Sequence, residues 1–281
     1  MRDIETLRRS VLRRSSLYKG KSSWPLISGD TYRSLCGLKF ESLNDLVNIK
    51  SLDGFSGNVF VSAGIASDFF MDLEKSHSME FSEVKLVIHN GDLIPGIEVF
   101  NRWNLRFKEI STVNWLSQLD RVRPIPIGLE NWSYMRNGVP KDFLNQNSKV
   151  KDIELLVSFN DCTNPDERTL AREVAKKIPG AYIVPNGTSP KQYRGLVKRS
   201  SFVLSPPGNG ADCHRTWEAI YLGAVPIVKS KFWPFNGYSL PALVLQDWEE
   251  LPDSIGKYLG IRNMTSLDLN SMFLGRVSNE I

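Results

Sequence analysis

Gly208, Asn209 and Gly210, followed by Asp212, His214, Arg215 and Glu218, are the residues whose types and spacing suit chemistry on a phosphorylated ligand. Pro206, Pro207 and the two glycines make a tight turn that no strand or helix interior tolerates. Such a turn directs backbone N–H groups outward, and a helix opening behind it adds the positive end of its dipole. His214 and Arg215 fall in the first turn of that helix, where a cation is unfavourable unless an anion sits nearby. Glu218 lies one helical turn beyond His214, so both project from one face. A carboxylate there can accept hydrogen bonds from a ribose diol while Arg215 and the N–H groups hold phosphates. The plainer alternative is a Glu218–His214 pair on a solvated surface.

The flanking residues must position this turn. Phe202–Leu204 has strand character, Asp212 can cap the helix, and Cys213, Trp217 and Ile220 recur at helical spacing as its buried face. Gly223 ends the helix, and Ala224–Val228 reads as a second buried strand. The segment is therefore a βαβ unit with a phosphate-sized concavity at its turn. It is not a P-loop, because no Gly-Lys-Ser/Thr follows. Cys213 stands where the dinucleotide fingerprint wants a third small residue, and the following strand ends in Val228-Lys229 with no carboxylate for a cofactor ribose. A nucleoside diphosphate held in another way fits better.

The run SPPGNGADCHRTWEAIYLGAVPIV resembles the donor-binding segment of exostosin-like glycosyltransferases, family 47 and its relatives. The order Gly-Asn-Gly, Asp, His-Arg, Trp-Glu, Leu-Gly-x-x-Pro-Ile-Val carries the resemblance. Weaker echoes lie in Ile27–Thr31 and Pro124–Asn131. The resemblance implies a GT-B-like α/β fold, two Rossmann-type domains with parallel sheets facing a central cleft. It implies transfer of a sugar from a nucleotide-sugar, usually a UDP-sugar, to an acceptor hydroxyl with inversion. Small versions without a membrane anchor resemble enzymes encoded by large algal viruses, which suggests a pentose such as xylose.

Length and composition agree with two small α/β domains: 281 residues with ordinary hydrophobic and charged fractions. A net charge of +4 does not call for nucleic acid as a partner. Cys36, Cys162 and Cys213 lack metal-ligand spacing and read as free thiols in a reducing, cytoplasmic setting. Sequons at Asn131, Asn186 and Asn263 then read as chance occurrences. No apolar run reaches membrane-spanning length. Residues 2–18 read as a basic amphipathic helix, with Ile4, Leu7, Val11 and Leu12 on one face and Arg8, Arg9, Arg13 and Arg14 elsewhere. It either packs on the domain or makes a peripheral membrane contact.

Residues 1–145 form the expected acceptor domain. Trp24–Asp30 reads as its first strand, and Asp30 is either the general base or a helix cap. Strands at Asn58–Ala63 and Val84–His89 follow, with Asp92 and His89 as rival bases at the second strand's end. Trp103 and Trp115 offer either a sugar-stacking platform or core. Arg123–Leu129 gives another strand, with Glu130 and Asn131 beyond it; these and His89 are the acceptor-side candidates. Residues 142–151 read as a linker.

Residues 152–262 form the expected donor domain, and 263–281 a tail crossing back to the first. Thr163, Asn164 and Arg168, around the Pro165 helix start, are further candidates for the donor phosphates. Asn186 follows the Ala181–Pro185 strand and is placed to meet a base edge. No Asp-x-Asp pair is present, so no metal is expected. The leaving diphosphate must be met by Arg215, His214 and N–H groups. No cofactor is expected beyond the UDP-sugar co-substrate; the other partner is a glycan acceptor. The alternatives are a nucleotide-sugar epimerase on the same scaffold and a non-enzymatic nucleotide-sensing or nucleic-acid-binding protein.

Overall fold

Buried apolar runs become two parallel sheets in the computed structural model, which describes residues 22–76, 80–144, 150–258, 266–275 and 277. A helix, α1 (Gly29–Ser34), precedes the first sheet. That sheet lays β1 (Leu38–Phe40), β2 (Gly57–Ser62), β3 (Phe81–His89), β4 (Phe107–Thr112) and β5 (Val122–Pro124) side by side in chain order. Helices α2 (Ala66–Ser76) and α3 (Ile97–Trp103) lie in its crossovers. Val59, Phe60 and Val61 are consecutive and all inaccessible, as a parallel strand covered on both faces requires.

The second sheet comprises β6 (Ile153–Val157), β7 (Ala181–Ile183), β8 (Ser200–Leu204), β9 (Val225–Lys229) and β10 (Leu243–Leu245). Its strand order is β10-β9-β8-β6-β7. From β6 the chain steps outward to β7, then returns to place β8 on the other side. The order therefore reverses between β6 and β8, which is where open α/β sheets leave a crevice beyond their strand ends. The crossovers are capped from the sequence. In α4 (Pro165–Ala175) the Asn164 side chain accepts from Glu167 N at 3.4 Å and Pro165 opens the first turn. A Ser189–Gln192 capping box starts α5 (Pro190–Arg199). The key helix α6 (His214–Tyr221) buries Trp217 and Ile220 and stops at Gly223, whose φ is 74°. Two short helices, α7 (Leu251–Ile255) and α8 (Ser266–Leu269), complete the α elements among the described residues.

The expected α/β architecture with two parallel sheets is present, but two local expectations change. Trp24–Asp30 is not a ladder strand: only Ser28 bridges, to Leu129, and α1 begins at Gly29. Ser28 Oγ accepts from Thr31 N at 3.2 Å, so the residue serves as a helix cap. The Arg123–Leu129 strand shortens to Val122–Pro124, because Pro124 and Pro126 have no N–H to donate. Trp103 and Trp115 are core, packed among Phe70, Phe81, Phe100 and Phe107. The proposed helix at 2–18 and residues 145–149 of the expected linker lie outside the described residues. In the tail, Phe273 packs edge-on against Trp217, and Asn58 Nδ2 donates to Val277 O. Among the described residues, no helix is long and apolar enough to cross a membrane.

Candidate active site

A cavity of about 410 Å³ opens at the reversal point between β6 and β8. Ser158 and Thr163 line it from the loop after β6, and Gly208–Gly210 and Asp212–Arg215 from the loop after β8. Asp92 and Ile127 close it from the first sheet, so both halves of the chain contribute.

Arg215 leaves the first turn of α6, and its Nε donates to Ser158 O at 2.7 Å. Its Nη1 is buried without a hydrogen-bond partner among the described residues. A buried, unpaired guanidinium nitrogen is costly, and it marks a place for an anion. Glu218 is 5% exposed and accepts from the Tyr193 hydroxyl at 2.9 Å through Oε2. Burial pushes its carboxyl up to about 7, opposed by the Tyr193 hydrogen bond. His214 Nδ1–H donates to Gly128 O at 2.8 Å, which fixes the tautomer and leaves Nε2 for the cavity. The alternative Glu218–His214 pair is not what forms among the described residues: Glu218 is met by Tyr193 and His214 by Gly128 O.

The other donor-side candidates mostly build the turn. Arg168 Nε donates to Pro207 O at 2.8 Å, and its Nη1 donates to Asn160 O at 2.6 Å and to the Thr163 hydroxyl. Gly208 permits this approach, since a Cβ there would lie 2.7 Å from Arg168 Nη2. Asn164 Nδ2 donates to Gly208 O at 3.2 Å. Asn186 is exposed after β7 and is not among the residues lining the cavity.

Asp212 differs from its expected role as helix cap. Cys213 is the N-cap, and Asp212, one residue earlier, is a strut between the two sheets. Its Oδ2 accepts from Ile127 N at 2.9 Å and its Oδ1 from Cys213 N at 2.8 Å, while Trp217 Nε1 reaches both oxygens. Burial nevertheless lifts its carboxyl to about 7. Asn114, at a left-handed φ of 56°, joins the same seam: its Oδ1 accepts from Asp212 N at 3.0 Å and its Nδ2 donates to Asp92 O at 3.1 Å. Tyr193, Asn114 and the Ile127 N–H are site residues that sequence reasoning missed. Only a positive-φ Asn or a contact across the seam would have revealed them, and neither leaves a local pattern.

On the acceptor side, the two carboxylates part company. Asp30 is 8% exposed, and burial raises its pKa against four hydrogen bonds. Its Oδ1 accepts from Ser23 N (3.1 Å), Ser23 Oγ (3.2 Å) and Ser28 Oγ, and its Oδ2 from Trp132 N (2.6 Å). Asp92 is exposed, lines the cavity, and accepts from Asn209 Nδ2 at 3.1 Å. His89 is buried and neutral: its Nδ1 accepts from Asn90 N at 2.7 Å, its Nε2 donates to Pro126 O at 3.1 Å, and burial lowers its pKa to about 4. The Asn131 side chain is committed to Asp30 N at 2.8 Å and Asn90 Oδ1 at 3.0 Å. Glu130 Oε2 accepts from Asn137 N at 3.1 Å, and its charge helps raise the pKa of Glu218.

No protein-family model matches the chain. Over 124 residues, 40% of the chain, it is 25% identical to Ribitol-5-phosphate xylosyltransferase 1 of Danio rerio and spans 28% of that protein's length. Among solved structures it is similar to OtsA in the apo form, at 13% identity and a TM-score of 0.43, covering 84% of this chain and 74% of that one. It is also similar to the trehalose-6-phosphate protein from E. coli bound with UDP-2-fluoro glucose, at 12% identity and a TM-score of 0.46, covering 81% and 70%. The sequence similarity is thus to a glycosyltransferase, and does not single out the exostosin-like family.

Proposed function

We propose that the chain is an inverting glycosyltransferase that moves a sugar from a nucleotide-sugar, a UDP-sugar by preference, to a glycan hydroxyl. The observation that carries this reading is Arg215 Nη1, a buried cationic donor without a hydrogen-bond partner among the described residues, in the opening turn of α6. A diphosphate there would receive the guanidinium, the helix dipole and the turn's N–H groups together. Glu218, held by Tyr193 through one oxygen, would accept from the ribose diol with the other.

Asp92 is the better base, because its carboxylate faces the cavity while that of Asp30 is committed to four donors. In the reaction Asp92 takes the acceptor's hydroxyl proton as that oxygen bonds to the anomeric carbon. The bond from that carbon to the diphosphate oxygen breaks, and its electron pair leaves with the diphosphate. Arg215 and the start of α6 are fixed donors aimed at the growing charge, and so need no metal ion to neutralise it. Similarity to a xylosyltransferase supports UDP-xylose as the first donor to try.

Calorimetry of the purified chain against a panel of UDP-sugars, with and without EDTA, tests the reading. One UDP-sugar should bind with equal affinity in both conditions, and glycoside should form only when an acceptor is supplied. If neither a nucleotide-sugar nor a free nucleoside diphosphate binds, the reading is wrong.

A further inference from the structure

Directly after β6, Phe159 presents its ring to three guanidinium groups at once. Arg215 Cζ lies 5.2 Å from the ring centroid, Arg168 Cζ 5.8 Å and Arg172 Cζ 4.8 Å. Gathering three like charges is unfavourable, and only one is neutralised: Arg172 pairs with Asp161 at 2.9 Å. Among the described residues neither Arg168 nor Arg215 makes an ion pair. Burial and the nearby charge of Arg215 both press the Arg168 pKa downward. The ring's negative face offsets part of this repulsion.

We propose that Phe159 is the positioning residue of the diphosphate clamp, an inference that rests on the nucleotide-sugar reading above. Among the described residues Arg215 is tethered at one nitrogen, through Nε to Ser158 O, and a single hydrogen bond leaves the guanidinium free to swing about it. Contact with the Phe159 ring supplies the second constraint and sets where Nη1 points. Phe159 is itself pinned by Arg172, whose Nη2 donates to the Phe159 carbonyl while its Nε binds both oxygens of Asp161. The arrangement orders the cation before the anion arrives, so less side-chain freedom is lost on binding. Phe159 touches neither sugar nor phosphate in this account; it acts through Arg215.

The test is calorimetry on the full chain in EDTA, with inorganic pyrophosphate and UDP as probes. Phe159→Leu should weaken both about tenfold through loss of the ring contact, and Phe159→Tyr should restore binding to within about twofold of wild type. In an Arg215→Leu background the Phe159→Leu change should add little, because its route of action is already gone. A merely structural role would weaken binding equally in both backgrounds. Thermal unfolding of each variant identifies any that fail to fold, and Phe159→Met then replaces Phe159→Leu. Wild-type affinity in the folded Leu or Met variant, additive losses in the double variant, or no rescue by a folded Tyr variant would each overturn the inference alone. Failure of the wild type to bind either probe would overturn the nucleotide-sugar reading, and this inference with it.

Discussion

Two aspartates of the first half illustrate how environment divides identical side chains. Asp92→Asn should lower kcat by about 10²–10⁴, the usual share of a positioned general base, and leave the UDP-sugar Kd nearly unchanged. Asp30→Asn should instead lower the Tm, by about 1–3 kcal/mol of stability, because an amide cannot accept as many of the donors from Ser23, Ser28 and Trp132. Steady-state kinetics and thermal unfolding on both variants separate the roles; an Asp30→Asn protein with native Tm and no turnover would reverse them. Glu218 carries a pH prediction. Its carboxyl is pushed up to about 7, so the protonated form is favoured in the empty folded site only below about that pH. Its contribution to stability is therefore complete below the ordinary carboxylate range and is lost as pH rises through about 7. Ribose hydroxyls, being donors, prefer the ionised form. Donor affinity should accordingly rise between pH 6 and 8 and flatten in Glu218→Gln, as read by calorimetry across that range.

At the scale of elements, legibility followed how local the determinant was. The helix α6 could be read because its start, buried face and stop all lie between Asp212 and Gly223. Pro165 announced α4 in the same way, and β8 and β9 were visible as apolar runs. The misread elements are those where a competing local device won. Ser28 turned an apolar run into a helix start by capping it, and Pro124 and Pro126 ended β5 early. Of these, the prolines were readable in advance. The Ser28 cap was not, since an extended Ser before Gly29 serves a strand end equally well.

At the scale of the molecule, the cavity exists because two sheets meet at a narrow seam. Gly210 has no room for a side chain at this seam: a Cβ there would sit 2.5 Å from Asn114 Nδ2 and 2.7 Å from its Oδ1. Asn114 in turn holds Asp212 N and Asp92 O. Gly210→Ala should therefore displace the Gly208–Gly210 turn and Asp92, the proposed base, together, lowering kcat/KM by at least about tenfold. Kinetics with the UDP-sugar found by the binding screen check this, and wild-type kcat/KM would show that the seam tolerates the shift. The Asp212 strut and the His214–Gly128 contact tie the same seam.

From its sequence alone the chain determined the βαβ unit, its tight Gly-rich turn and the placement of Arg215 and Glu218 on one helix, because spacing along a helix decides which side chains share a face. Tertiary structure alone decided which carboxylate faces the cavity and which is consumed as a strut. Hydrogen bonds such as Ile127 N to Asp212 and Trp132 N to Asp30 join residues 85 and 102 positions apart. An aspartate carries the same letters whether it is a base or a brace; only the donors that the fold brings around it distinguish the two.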